Sequence, residues 1–241
     1  VECVLLLGIL FGLLLFSAHA GPLQAFQQPS RHITLVASQN GRVPTPQALE
    51  QAQTILLNRF QHIGLTNTQV HVTTTHGQAR ISLDLVSLSG NEQQTLSTLL
   101  ATGTLQLWDT GPATDPASLL QSGVTFHPTD YTQYNPGGKP GFANQDFNPN
   151  AFSASKDPQS GTYRVNFALQ GSAITHFQTY TAARIGDVLT ITLDDTVITS
   201  SVIQAPIPGS GAIVGNFTQA QANALAATLA SGVLPIRLTP A

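Results

Sequence analysis

Two stretches of alternating apolar residues, each folded back at a tight turn and each set between helical stripes, fix the plan of this chain. In the first, Val70 and Val72 alternate with polar residues up to His76-Gly77, and Ile81, Leu83 and Leu85 alternate on the way back. A period of two puts these side chains on one face of a hairpin. In the second, Val188 to Leu193 and Val197 to Val202 flank the turn Asp194-Asp195. Helical spacing surrounds both. Leu49, Ala52, Leu56, Phe60 and Ile63 recur every three or four residues behind the cap Thr45-Pro46 and end at Gly64. Leu96, Leu99 and Leu100 predict a short helix from Asn91 that closes at Gly103. Ile174, Phe177 and Thr181 predict one face of a helix stopped by Gly186. Ala222, Leu225, Ala226 and Leu229 predict the inner face of another, capped by Thr218 and ended by Gly232.

Strands over 31–37, 105–108, 163–167 and 234–238 complete the order β-α-β-β-α-β twice. The expected fold is α+β, with two ferredoxin-like units joined by a long irregular segment and preceded by an apolar N-terminal helix. The expected divisions are 1–20 for a signal peptide or membrane anchor, 21–30 for a linker and 31–110 for the first unit. Residues 111–150 form the irregular connection, and 151–241 the second unit. The connection is rich in Pro, Gly, Asn and Asp. It also carries Phe126, Tyr131, Tyr134, Phe142 and Phe147, too many aromatics for a solvated linker, so it is expected to pack on its neighbours.

Charge bears on partners. Only 9% of residues are charged, against about a quarter in an average soluble domain, and the net charge is −3. Such a surface offers nothing to a phosphate backbone, so nucleic acid is not an expected partner. The single cysteine, Cys3, excludes an internal disulfide and a thiolate metal cluster.

Val4 to Phe16 is apolar and is followed by Ala18-His19-Ala20, a small-residue cleavage pattern. It has the length of a signal-peptide core and falls short of the roughly 18–20 residues that span a bilayer. Read as a cleaved signal or, with apolar residues upstream, as an anchor, it sends the remainder out of the cytoplasm. The expected location is the extracytoplasmic side of the cell membrane, or outside the cell if the segment is cleaved.

No constellation of residues points to chemistry. Asp194-Asp195 reads as a hairpin turn in preference to a paired-carboxylate site. The histidines lack ligand spacing, and His71 and His76 are separated by a turn. Pro206 to Gly211 lacks the Lys of a phosphate-binding loop. Ser200 and Ser201 have no accompanying His pattern. Arg59, near a helix C-terminus, is accounted for by the helix dipole. No enzyme activity, metal or cofactor is expected. The low-charge surface suits weak binding of extended polypeptide, by addition to a sheet edge or in an apolar groove.

One resemblance is specific. It runs from Phe177 through Thr181, Gly186, Val188-Leu-Thr-Ile-Thr-Leu-Asp194, Val197-Ile198 and Ile203. It continues through Ile213-Val-Gly215-Asn-Phe217-Thr218, Ala222, Leu225-Ala226, Leu229, Gly232 and Leu234-Pro235. This block resembles the head subdomain in the first extracytoplasmic domain of SecD, a subunit of the bacterial protein-export machinery. Ala48 to Leu65, with Asn58-Arg59 and Ile63-Gly64-Leu65, followed by Ile81-Ser82-Leu83, is similar to the family's N-terminal part. The resemblance implies an accessory role in translocation, with a SecF-like subunit, the Sec translocon and unfolded preproteins as partners and the membrane engaged through the N-terminal segment. It marks Arg59, Gly64, Thr181, Gly186, Asp194, Gly215, Phe217, Gly232 and Pro235 as structural or client-contact positions. The family's Asp-Gly hairpin turn stands here as Asp194-Asp195. The family's later membrane helices, with their proton-carrying carboxylate, are not in this chain, so proton coupling is not assigned to it. The other expectation is a cell-surface scaffold that keeps the fold without an export role.

Overall fold

The computed structural model describes residues 30–86, 92–158 and 160–241. Cys3, the apolar N-terminal run and the expected linker lie outside them. Among the described residues, no helix is long and apolar enough to cross a membrane.

Strand β1 (Ser30–Ser38) turns at Asn40-Gly41 and enters helix α1 (Pro46–His62). The Thr45 hydroxyl accepts the Ala48 N–H at 3.2 Å, and Pro46 occupies a position whose N–H has no intrahelical acceptor. The helix buries Leu49, Ala52, Leu56 and Phe60, as their spacing predicts. Strands β2 (Gln69–Thr75) and β3 (Gln78–Val86) form the first hairpin. Its turn residues His76 and Gly77 both have positive φ, the mirror-image turn that matches strand twist. Helix α2 (Glu92–Leu100) and strand β4 (Leu105–Pro112) follow.

Here the architecture departs from the expected repeat. β4 does not close the first sheet. It pairs with β5 (Phe142–Ala143) and β8 (Asp187–Leu193), and β8 pairs with β9 (Thr196–Val202), giving the order β5-β4-β8-β9. The place beside β1 goes to the last strand, β11 (Arg237–Pro240), in a sheet ordered β11-β1-β3-β2. The reason is burial. Leu105 and Leu107 face one core, while Trp108 and Thr110 are buried among other residues, so β4 needs a sheet covered on both faces. β11 leaves Arg237 and Thr239 exposed, which suits the half-open first sheet.

The second unit is also divided. β6 (Ser153–Lys156) and β7 (Tyr163–Ala168) form a further hairpin, and their sheet is completed by β10 (Ser210–Phe217) in the order β10-β7-β6. No strand is expected there from sequence, and its start overlaps Pro206 to Gly211, weighed above only as a phosphate-binding loop. Helix α3 (Ala173–Ala182) buries Ala173, Phe177 and Thr181, a strict spacing of four, and leaves Ile174 in solvent, 42% exposed. Ile174 is thus not on the inner face. The described fold is four α-helices with three antiparallel sheets.

Helix α4 (Gln219–Ala230) joins the two halves. Thr218 and Gln221 form a reciprocal capping box. Ala224 and Ala227 pack into the core of the first sheet with Leu56, Leu83 and Leu99. Ala222, Leu225, Ala226 and Leu229 pack into a second core with Phe142, Phe177 and Ile213. Small side chains allow one helix to be buried on both sides.

The irregular segment packs as expected. Phe142 and Phe147 enter the second core, and Phe126 lies between Trp108 and Tyr131, with ring centroids 5.2 and 5.3 Å away. Two asparagines act as strand partners. Asn135 accepts the Asp109 N–H at 3.1 Å and donates to the Asp109 carbonyl at 2.7 Å. Asn144 accepts from Leu105 and donates to Gly103, both at 2.9 Å.

Candidate interaction site at the joint between the two cores

The loop from α2 to β4 is held from two sides. Arg59, on α1, is fully buried. Its Nη1 donates to the carbonyls of Leu99 and Ala101 at 2.8 and 2.5 Å. Its Nη2 donates to Thr102 and Gly232 at 3.1 and 2.8 Å. Burial lowers the Arg59 pKa to about 10, against the opposing attraction of Asp194. From the other side, the Asp194 carboxylate accepts the N–H groups of Thr102, Gly103 and Thr104 at 2.9, 3.0 and 2.9 Å, and also the Thr102 hydroxyl. Three successive N–H groups converging on one carboxylate make a backbone anion nest, filled here by the protein's own side chain. Asp194 is the turn residue at positive φ, +55°, and Asp195 is not. An Asp at that position is stabilised by the bonds its side chain makes.

Arg59 therefore does more than answer a helix dipole. It ties α1 to both crossings between the cores, at 99–102 and at Gly232. Gly103 passes so close that a Cβ there would lie 2.8 Å from Arg59 Nη2.

Beside this joint opens a cleft of about 320 Å³. Ala101, Val197, Ile198, Phe217 and Leu225 supply apolar wall, and Gln94, Ser97, Thr98, Asp194, Thr196 and Gln221 supply polar groups. Gln221 Nε2 donates to Gln94 Oε1 at 2.5 Å, linking α4 to α2 at its margin. The 41 residues from Thr196 to Ile236 contain no Asp, Glu, Lys, Arg or His. They supply β9, β10 and α4, so that side of the cleft is uncharged.

A second polar cluster lies under the irregular segment. Arg184 Nε donates to Asp109 Oδ2 at 3.0 Å, and its guanidinium carbon sits 3.9 Å over the Tyr180 ring. Burial raises the Asp109 pKa; Asp187 adds to the rise, and the Gly111 N–H and Arg184 oppose it. Burial, with Asp109 nearby, pushes Tyr180 up to about 12. This pair fixes the end of α3 to the irregular end of β4. His32 and His71 approach Asp84 at 2.7 and 3.8 Å on the open face of the first sheet, with His76 apart on its turn. Among the described residues no group of three His, Cys, Asp or Glu is placed to hold a metal.

Residues 148–236 match the family model described as SecDF, P1 head subdomain. The chain is 30% identical over 224 residues to the protein translocase subunit SecD of Acetobacter pasteurianus, an alignment covering 88% of this chain and 41% of that protein. The chain carries a SecD P1 domain. A shorter alignment, 43% identical over 75 residues, relates 31% of the chain to 15% of SecD from Aquifex aeolicus. The chain thus spans less than half the length of these SecD relatives. Two solved SecDF structures share the fold. One, titled as a membrane component SecDF that enhances protein export, has a TM-score of 0.57 at 23% identity, covering 87% of this chain and 98% of that one. The other, SecDF in a super-membrane-facing form, has a TM-score of 0.59 at 22% identity, covering 89% and 30%.

The positions marked by the SecD resemblance fall into groups. Arg59, Asp194 and Gly232 meet at the joint. Asp194 and Phe217 line the cleft, and Gly215 lies so close to Phe217 that a Cβ there would be 3.0 Å from its ring. Thr181 accepts the Ile207 N–H at 2.9 Å through its hydroxyl, fastening α3 to the loop before β10. Gly186, at φ +98°, donates to the Ile203 carbonyl at 2.9 Å. Pro235 stands between buried Leu234 and Ile236 on the way to β11, and Gly64 ends α1 in the open. Sequence reasoning missed the Thr102-Gly103-Thr104 nest, where Gly103 carried only a helix-end signal. It also missed the Asp109–Arg184 pair, separated by 75 residues with no local pattern.

Proposed function

We propose that this chain is an extracytoplasmic SecD domain that assists protein translocation by transient contact with the exported polypeptide. The observation that supports it is the uncharged wall of the cleft beside the joint. A site that meets many different sequences gains nothing from fixed charges, which would repel some and trap others. Apolar surface flanked by neutral amides and hydroxyls accommodates extended chain of varied composition. On this reading the chain acts beside a SecF-like subunit and the Sec translocon and performs no catalysis itself. The positions marked by the resemblance then divide into those that hold the joint and those, Phe217 foremost, that contact the client.

The test is binding of several fluorescently labelled, permanently unfolded polypeptides to the purified chain, with their folded counterparts as controls. Weak, saturable binding of the unfolded forms alone is expected. A correctly folded chain that binds none of them contradicts the proposal.

A further inference from the structure

β9 is an edge strand with an unfinished ladder. Among the described strands it pairs only with β8, and the alternation of an antiparallel ladder decides which of its backbone groups face away. Ile203 donates to the Asp187 carbonyl at 2.9 Å, so it faces β8. Steps of two place Ser201 and Thr199, opposite Leu189 and Ile191, on the same side. Val202 and Ser200 therefore face outward, as does Val197 beyond the irregularity at Ile198.

The chain already adds a strand to the beginning of this edge. Val197 donates to the Val124 carbonyl at 2.9 Å and accepts the Gly123 N–H at 2.8 Å. Phe126 donates to the Asp195 carbonyl at 2.7 Å, and Thr125 and Thr196 form an isolated bridge. The addition stops there. From Ile198 to Val202 no backbone group among the described residues pairs with the outer edge. β10 is the next strand in sequence, yet it hydrogen-bonds to β7 instead.

Open edges are usually protected by Lys, Pro or an inward charge. The sequence of β9, TVITSSV, has none of these. Clefts stand at both ends of the open stretch. One is the joint cleft at Thr196–Ile198. The other, about 340 Å³ and mostly apolar, is formed by Leu189, Val202, Ile203, Pro206 and Ile207 with their neighbours.

Building on the function proposed above, we infer that the outer edge of β9 from Ile198 to Val202 takes a segment of unfolded polypeptide as an added β-strand. The outward N–H and C=O groups of Ser200 and Val202 bond its backbone, and side chains at its two ends enter the flanking clefts. The recognised feature is an extended backbone with uncharged side chains over about five residues, roughly 16 Å of chain. Main-chain bonding explains how one site serves many sequences.

Two probes test the inference on the full chain. Ser200→Pro removes an outward N–H and leaves the backbone ladder to β8 intact, since proline is tolerated where the N–H points to solvent; it also gives up the Ser200 Oγ bond to Thr190, so Ser200→Ala is its control. An uncharged, extended peptide is also compared with the same peptide N-methylated at alternate residues. The expected result is at least a tenfold loss of unfolded-polypeptide binding in Ser200→Pro with unchanged near-ultraviolet circular dichroism. At least a tenfold weaker competition by the methylated peptide against the unaltered protein is also expected. The peptide comparison decides alone if the proline variant does not fold. If unfolded clients bind the unaltered protein and the methylated peptide competes equally well, edge addition is wrong and the contact function survives. If no unfolded client binds the unaltered protein, the contact function itself fails and takes this inference with it.

Discussion

Arg59 and Asp194 grip the same loop from opposite faces. The guanidinium takes the carbonyls of Leu99, Ala101 and Thr102, and the carboxylate takes the N–H groups of Thr102, Gly103 and Thr104. The peptides between them are held with their dipoles aligned from cation to anion. Arg59→Met should cost about 3–5 kcal/mol in urea unfolding, because buried carbonyls lose their donors. Arg59→Lys should recover only part of this, since a single ammonium cannot span four acceptors. Asp194→Asn should cost ~1–2 kcal/mol. A double-mutant cycle of the two sites should show coupling above about 0.5 kcal/mol.

Two glycines separate strain from collision. Gly64 and Gly103 have nearly equal φ, +87° and +91°, but Gly64 faces open space and Gly103 faces Arg59 and Thr228. Gly64→Ala should cost about 1 kcal/mol, from backbone conformation alone. Gly103→Ala should cost clearly more, and thermal denaturation of the two variants measures the difference.

Asp109 gives a pH dependence with a definite sign. Its folded pKa is raised above the ordinary 3.8, mainly by burial, so the folded state holds the proton more tightly than the unfolded state does. Its contribution to stability grows as pH falls through the folded pKa and is complete below the unfolded one. The melting temperature of the unaltered protein minus that of Asp109→Asn should therefore rise between neutral pH and pH 4. A difference that falls over this range contradicts the assignment.

Gly215→Ala addresses the cleft without touching its floor. The new methyl group would press on the Phe217 ring from 3.0 Å and turn it. Affinity for unfolded polypeptide should fall severalfold in anisotropy titrations, with little change in stability.

Local elements were readable because their signals are local. The Thr45-Pro46 and Thr218 caps, the three- and four-residue spacing in α1 and the period of two on either side of Asp194-Asp195 each depend on adjacent residues. Pairing between distant strands leaves no such mark. Nothing in Leu105-Gln106-Leu107-Trp108 states that its partner lies at Leu189–Leu193, or that the vacant place beside β1 belongs to Arg237–Pro240. β10 escaped recognition because Gly211 and Gly215 interrupt its pattern and its register shifts between Ile213 and Phe217. In α4 the Ala residues facing the first core resemble spacers when the second core is not known. The resemblance marked Arg59 and Asp194 separately, and only the fold shows that they hold the same loop.

The most direct measurement is photocrosslinking from p-benzoylphenylalanine placed at Ile198, on the β9 edge beside the cleft, and at Glu50, exposed on α1, each incubated with labelled unfolded polypeptide. Strand addition at β9 predicts a crosslinked product from position 198, competed away by unlabelled unfolded chain, and background labelling from position 50. Equal labelling at the two positions, or none at 198 in a folded protein, would contradict it.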